Sequence, residues 1–142
     1  MPVRILIADD HDLLRGAVAE LLQKTGENWV VCCQVADGKS AIEKAAELRP
    51  DLVILDVLMP LRDGISAGRE IHTVLPSAPI VLYTILASPA LEADARRAGF
   101  HAVVHKANAA ELISAVRSAL ASRNISGGQP PPPSQPRGPF PS

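Results

Sequence analysis

Five short apolar runs, each followed by a segment of helical period, constrain this chain more than any other feature. The runs are Val3–Ala8, Trp29–Val35, Leu52–Leu55, Ile80–Thr84 and Ala102–His105. They are rich in Val, Ile and Leu and turn polar where they end, so each is predicted to be a strand buried on both faces. Between them, apolar residues recur at helical spacing, most clearly as Leu13, Leu14, Ala17, Val18, Leu21 and Leu22. Helices are predicted over 13–24, 40–48, 65–75, 89–98 and 109–122. The punctuation agrees with these limits: Gly26 and Asn28 follow the first helix, Pro50 the second, Pro76 and Pro79 the third and Gly99 the fourth, while Asn108 is placed to cap the fifth. Asp37-Gly38 reads as a turn. Strands that alternate with helices join through crossovers, and the result is an α/β fold with a doubly wound five-stranded parallel sheet and five helices on its two faces.

The 142 residues fit one domain. Aromatic residues make up only 3% of a chain that is 47% hydrophobic, so an aliphatic core is expected. Fourteen basic and fifteen acidic residues leave a net charge of -1, which argues against a chain built mainly to neutralise nucleic-acid phosphates. Cys32 and Cys33 are adjacent; strand neighbours point to opposite faces, so they are expected as small apolar thiols in a buried strand and not as a disulfide. The apolar run after Met1 is too short for a signal peptide or a membrane span, and the expected location is the cytoplasm. From Ser126 the chain becomes rich in Pro, Gly and Ser and loses periodicity. The division expected is a folded domain over 1–123 and a disordered or polyproline-like tail over 124–142. The Pro133–Pro136 spacing in that tail reads as linker composition in preference to a recognition motif.

The polar residues at the strand ends carry the functional signal. Asp9 and Asp10 follow the first strand, Asp56 follows the third, Thr84 closes the fourth and Lys106 follows the fifth. In open α/β sheets, ligands bind outside the carboxyl ends of the strands, so one rim receives three carboxylates, a hydroxyl and an ammonium. Clustered carboxylates repel one another unless a cation joins them. Mg²⁺ suits oxygen donors, with Asp10 and Asp56 as direct ligands, Asp9 acting through water, and a main-chain carbonyl just after Asp56, that of Leu58, as a further ligand. A carboxylate can also act as nucleophile towards phosphorus. Phosphoryl transfer then needs positioning and charge neutralisation, for which Lys106 and Thr84 are suited. Taken singly, Thr84 reads as an ordinary strand end and Lys106 as a solvated charge; their meeting at one rim favours the functional reading. His11, beside the acids, is a weak partner for an oxygen-preferring metal and reads as a helix-start surface residue. His72, His101 and His105 show no ligand spacing, and no phosphate-binding glycine motif follows a strand.

Three stretches, Ala8-Asp9-Asp10-His11, Asp56-Val57-Leu58-Met59-Pro60-Leu61-Arg62-Asp63-Gly64, and Thr84 with Lys106, resemble the receiver domain of two-component response regulators. The likeness runs over roughly 3–123. The opening segment, with His11 and Arg15, looks closest to the subfamily that carries a C-terminal LuxR-type helix-turn-helix. The resemblance implies a flavodoxin-like strand order 2-1-3-4-5 and phosphoryl transfer from a histidine kinase onto Asp56 with Mg²⁺. It implies that Asp9 and Asp10 hold the metal and that Thr84 and Lys106 contact the phosphoryl oxygens. The chain would modify itself without turning over a separate substrate. A homodimer through the face made by 91–98, 102–105 and 109–122 is expected, with no membrane partner. DNA would be reached only through a domain absent from this chain, which ends about where a linker to such a domain would begin. The alternative output is a stand-alone receiver that acts by protein contact or as a phosphorelay intermediate. Three positions depart from the family pattern. Val103 stands where many receivers carry Tyr or Phe, Ala107 where proline is frequent, and Ile85 where a small residue is common and where it would crowd the site. Gly64 is expected to supply backbone freedom in the loop after Asp56. Leu58 occupies the place where aspartyl phosphatases carry a second acid, which argues against a hydrolase.

Overall fold

Strand and helix alternate as the periodicity requires: β1 (Val3–Ala8), α1 (Asp12–Gln23), β2 (Trp29–Val35), α2 (Gly38–Leu48), β3 (Leu52–Leu55), α3 (Gly64–Val74), β4 (Ile80–Thr84), α4 (Pro89–Arg97), β5 (Ala102–His105) and α5 (Ala109–Gly128). These elements come from a computed structural model that describes residues 2–128. All five strands have the predicted limits. The helices α1, α2 and α3 begin one or two residues before the predicted starts, because their caps lie earlier. His11, Asp37 and Asp63 each accept, through the side chain, the amide three residues on, as Ser88 does for α4 and Asn108 for α5.

α5 departs most from expectation. It runs to Gly128, beyond the predicted end at Ser122, so residues 124–128 of the expected tail continue the helix. Once a helix is nucleated each added residue costs little, and Arg123-Asn124-Ile125-Ser126 contains no breaker. Arg123 also ties this end of α5 to the sheet through the Asp51 carboxylate at 3.0 Å. The remainder of the proline-rich segment, with its Pro133–Pro136 spacing, lies outside the described residues.

The sheet is parallel throughout, in the order β2-β1-β3-β4-β5. Alternation along each strand sorts the apolar residues into two cores. Ile5, Ile7, Ile54, Val81 and Val104 pack with Val18 and Leu22 of α1 and Leu112 and Val116 of α5. Leu6, Val53, Leu55, Ile80 and Leu82 pack on the other face with α2, α3 and α4, where Ala41, Ala45, Ile71 and Ala95 meet them. Both cores are mainly aliphatic, as expected, but Trp29, Tyr83 and Phe100 are also buried in them. Cys32 and Cys33 are free and only half-buried, because β2 is an edge strand. The register jumps from Val31 to Cys33 opposite Ile5 and Leu6, which makes Cys32 the extra residue of a bulge. Burial pushes the Cys32 thiol above its ordinary value, against the opposing pull of Arg4. Among the described residues no helix is long and apolar enough to cross a membrane.

Candidate functional site

The order of the strands reverses at β1 and β3, and the carboxyl ends of those strands are where ligands bind in open sheets of this kind. Asp9 leaves β1 and Asp56 leaves β3, and both are buried, while Asp10 is exposed. The backbone fixes them first. The Asp9 amide donates to the Val35 carbonyl and the Asp56 amide to the Ala8 carbonyl, each at 3.0 Å. Side-chain contacts then orient Asp9. Its Oδ1 accepts from the His11 amide at 2.9 Å, and its carbonyl accepts from Arg15 Nη1 at 2.6 Å. Asp9, Asp10 and Asp56 each offer a carboxylate oxygen within 4.8 Å of the others.

Lys106 enters this cluster from the end of β5. Its amide donates to the Thr84 carbonyl at 3.1 Å, and its Nζ lies 2.7 Å from both Asp9 Oδ2 and Asp56 Oδ2. Burial alone would lower the ammonium's pKa. Hydrogen bonds that the ammonium donates to Asp56 and then Asp9, with their charges, outweigh it and hold Lys106 above its ordinary value. Three carboxylates against one ammonium leave two negative charges at the cluster. The donor set is all hard oxygen, so charge and donor type both fit a divalent cation such as Mg²⁺.

The structure thus brings together four of the expected site residues: Asp9, Asp10, Asp56 and Lys106. Thr84 closes the adjoining strand, is fully buried, and accepts the Leu86 amide on its hydroxyl oxygen at 3.2 Å. The Leu58 amide lies 3.4 Å from Asp56 Oδ1, so the main chain at Leu58 passes beside the Asp56 carboxylate. His11 takes the helix-start role: its Nδ1 accepts from the Leu14 amide at 3.2 Å. Ile85 is 60% exposed. Val103 is partly buried against the core on the α2–α4 face.

The loop after Asp56 corrects one expectation. The left-handed backbone falls on Leu61, at φ 69°, and not on Gly64. Gly64 is needed for close approach: a Cβ there would sit 2.1 Å from the Asp56 carbonyl oxygen. Asp63, the second acid of the motif, is the α3 cap and accepts from Ser66 N at 2.9 Å. Two contributors were given no role at the site from the sequence. Arg15 bridges the Asp9 carbonyl and the Asp12 carboxylate, the latter at 2.8 Å, and only the Asp12/Arg15 spacing hinted at it. Tyr83 donates its hydroxyl to the Lys106 carbonyl at 3.1 Å. A tyrosine inside an otherwise apolar strand, which must find a partner for its hydroxyl, was the available signal.

Residues 5–117 match the response regulator receiver domain. The chain belongs to that family. Among curated relatives of this receiver is the transcriptional regulatory protein PdtaR of Mycobacterium tuberculosis, 40% identical over 121 residues that cover 84% of this chain and 58% of PdtaR. The receiver spans about half the length of such relatives. A solved LuxR-family response regulator from Aurantimonas superposes with a TM-score of 0.80 at 31% identity, over 87% of this chain and 88% of that one. A chain in the CheX–CheY–BeF3–Mg complex of Borrelia burgdorferi superposes with a TM-score of 0.74 at 28% identity, over 83% and 89% of the two chains. The strand order implied by the resemblance is the one observed.

Proposed function

We propose that this receiver is the phosphoacceptor of a two-component system, with Asp56 as the nucleophile and a histidine kinase as the donor. The observation that carries this reading is the Lys106 bridge. One ammonium lies 2.7 Å from both Asp56 and Asp9, two buried carboxylates at adjoining strand ends. Lys106 holds Oδ2 of Asp56, while Oδ1 has only the long contact to the Leu58 amide. Oδ1 is therefore the freer oxygen for attack. In the transfer, an Asp56 oxygen forms the new bond to phosphorus as the bond to the phosphohistidine nitrogen breaks. The electron pair goes to that imidazole, which takes up a proton.

Asp9, Asp10, Asp56 and the Leu58 carbonyl are the proposed holders of Mg²⁺, a reading that the name of the Borrelia complex supports. When bound, Mg²⁺ supplies positive charge that neutralises the phosphoryl oxygens. Lys106 supplies the remaining charge, and the Thr84 hydroxyl supplies a donor. The proposal extends to output. Similarity to PdtaR and to a LuxR-family regulator supports a transcriptional regulator that contacts DNA through a further domain, and the proposal adds a cytoplasmic location and association through α4, β5 and α5. Acetyl phosphate with Mg²⁺ should add one phosphoryl mass, and Asp56→Ala should remove that increment. An unlabelled wild type, or a labelled Asp56→Ala, contradicts the assignment. Size-exclusion chromatography of labelled and unlabelled protein reads any linked association.

A further inference from the structure

Tyr83 stands one residue before Thr84 and faces the opposite side of β4, into the core shared with α1 and α5. It is 4% exposed. Its hydroxyl partner is not a side chain but the main chain of Lys106, the residue whose ammonium bridges the two buried acids. The Lys106 main chain is thereby held at two points, the N–H by the Thr84 carbonyl and the carbonyl by the Tyr83 hydroxyl, each at 3.1 Å. Just beyond it the chain turns away from the sheet: the Ala107 amide donates to His105 Nδ1 and the Asn108 amide to the His105 carbonyl, both at 2.9 Å. A long, flexible lysine side chain loses much rotamer freedom when its ammonium is fixed between two carboxylates. A main chain that is already fixed reduces what must be ordered in the transition state.

We propose that Tyr83 is a positioning residue for Lys106, setting the main chain of this lysine from the far face of the sheet so that Nζ reaches the phosphoryl site. The catalytic consequence rests on the phosphoacceptor reading above; the positioning itself does not. Burial also keeps the phenol protonated, and hence a donor, beyond its ordinary range.

Tyr83→Phe keeps the ring and removes only the hydroxyl, and it tests both levels. In the unphosphorylated protein, NMR of the Lys106 carbonyl carbon and Nζ should show both resonances displaced by the substitution. A displaced carbonyl with an unmoved Nζ overturns the positioning role, whether or not Asp56 accepts phosphate. In acetyl-phosphate labelling, Tyr83→Phe should slow the initial rate roughly two- to tenfold, the rate equivalent of one ordinary hydrogen bond. In a Lys106→Met background the same substitution should slow nothing further, because a residue that acts through Lys106 has no effect once Lys106 is gone. A reduction of equal size in both backgrounds marks Tyr83 as a general packing residue and overturns the proposal. If the wild type is not labelled while Nζ responds to Tyr83→Phe, the phosphoacceptor reading falls and the positioning role stands.

Discussion

Gly64→Ala is the sharpest test of how the loop after Asp56 sets the acceptor. Gly64 is the first residue of α3, and its φ is not in the left-handed region, so an alanine is conformationally permitted there. The obstacle is space. A Cβ would lie 2.1 Å from the Asp56 carbonyl oxygen and 2.8 Å from both the Asp56 carbonyl carbon and Val57 Cα. All three are backbone atoms, which cannot rotate aside as a side chain can. Restoring the closest contact to 3.0 Å, the lower limit for real Cβ atoms, takes at least 0.9 Å of movement. Overpacking of this kind costs about 1–3 kcal/mol, and the helix preference for Ala over Gly returns up to about 1 kcal/mol. The net loss is up to about 3 kcal/mol, a fall of up to roughly 10–15 °C in Tm for a domain of this size. The functional effect should be larger than the stability effect, because the atoms displaced belong to the peptide of Asp56, the proposed acceptor. Misplacement on the order of 1 Å in a reacting group costs up to about a hundredfold in rate. The assay is the initial rate of Asp56 labelling by acetyl phosphate with Mg²⁺, at a temperature where calorimetry shows the variant folded. Gly16→Ala is the control. It lies within α1 with nothing within 4 Å of its added Cβ. It should stabilise by about 0.5–1 kcal/mol and leave the rate unchanged. A Gly64→Ala protein labelled at the wild-type rate refutes the claim that this glycine sets the position of Asp56.

The chain has one tyrosine, so phenolate absorbance reports Tyr83 alone. Burial pushes its pKa above the ordinary 10.0, Lys106 opposes that shift and Asp9 adds to it. Because the folded value lies above the unfolded one, this contribution to stability is complete below pH 10 and is lost as pH rises through the folded value; a native midpoint at or below the denatured one refutes the assignment. Asp63→Ala removes the α3 cap and should cost about 0.5–2 kcal/mol, read as a lower urea midpoint, with labelling of Asp56 retained. Loss of labelling without loss of stability would place Asp63 in the chemistry instead. Leu58 and Leu86 are apolar, half-exposed and unable to orient an attacking water, so the acyl phosphate should be long-lived. Leu58→Asn should shorten that lifetime roughly tenfold by offering a water a polar partner, and an unchanged decay of the labelled mass would show that Leu58 does not shield the group.

The strands were legible because burial keeps the runs almost wholly apolar, with Arg4 of β1 and Gln34 of the edge strand β2 as exceptions, so each run is bounded by its own chemistry. Asp56 and Lys106 mark strand ends as clearly as they mark the site. The order of the strands was not legible from period or spacing, since no local signal says that β1 sits between β2 and β3; it came through the family resemblance. Helix starts were read late for a specific reason. Asp37 was assigned to a turn, although the Ser40 amide it accepts at 2.6 Å makes it the cap of a helix that has already begun at Gly38. The end of α5 was misplaced because composition changes at Ser126 while the residues before it carry no stop signal. Within the site, side chains that meet side chains were found from the sequence, since parallel strands deliver their ends to one rim. The site contacts of Arg15 and Tyr83 were not legible because each bonds a main-chain carbonyl, and a carbonyl has the same chemistry at every position.

The position of Tyr83 also bears on how a change at Asp56 reaches the surface. Val103 lacks the aromatic ring that many receivers carry there, and it packs on the face with α2, α3 and α4. Tyr83 lies on the other face and cannot simply replace such a ring. A phosphoryl group brings roughly two negative charges and three strong acceptors to Asp56, and Lys106, already 2.7 Å from that carboxylate, is the cation placed to answer them. If the main chain of Lys106 moves with its ammonium, it must either draw Tyr83 along or break the 3.1 Å bond. Tyr83 shares its core with Val104, Leu112 and Val116, so either outcome is felt first where β5 meets α5. Movement of Lys106 is therefore expected to be felt beneath α5, on the side of the sheet that Val103 does not face.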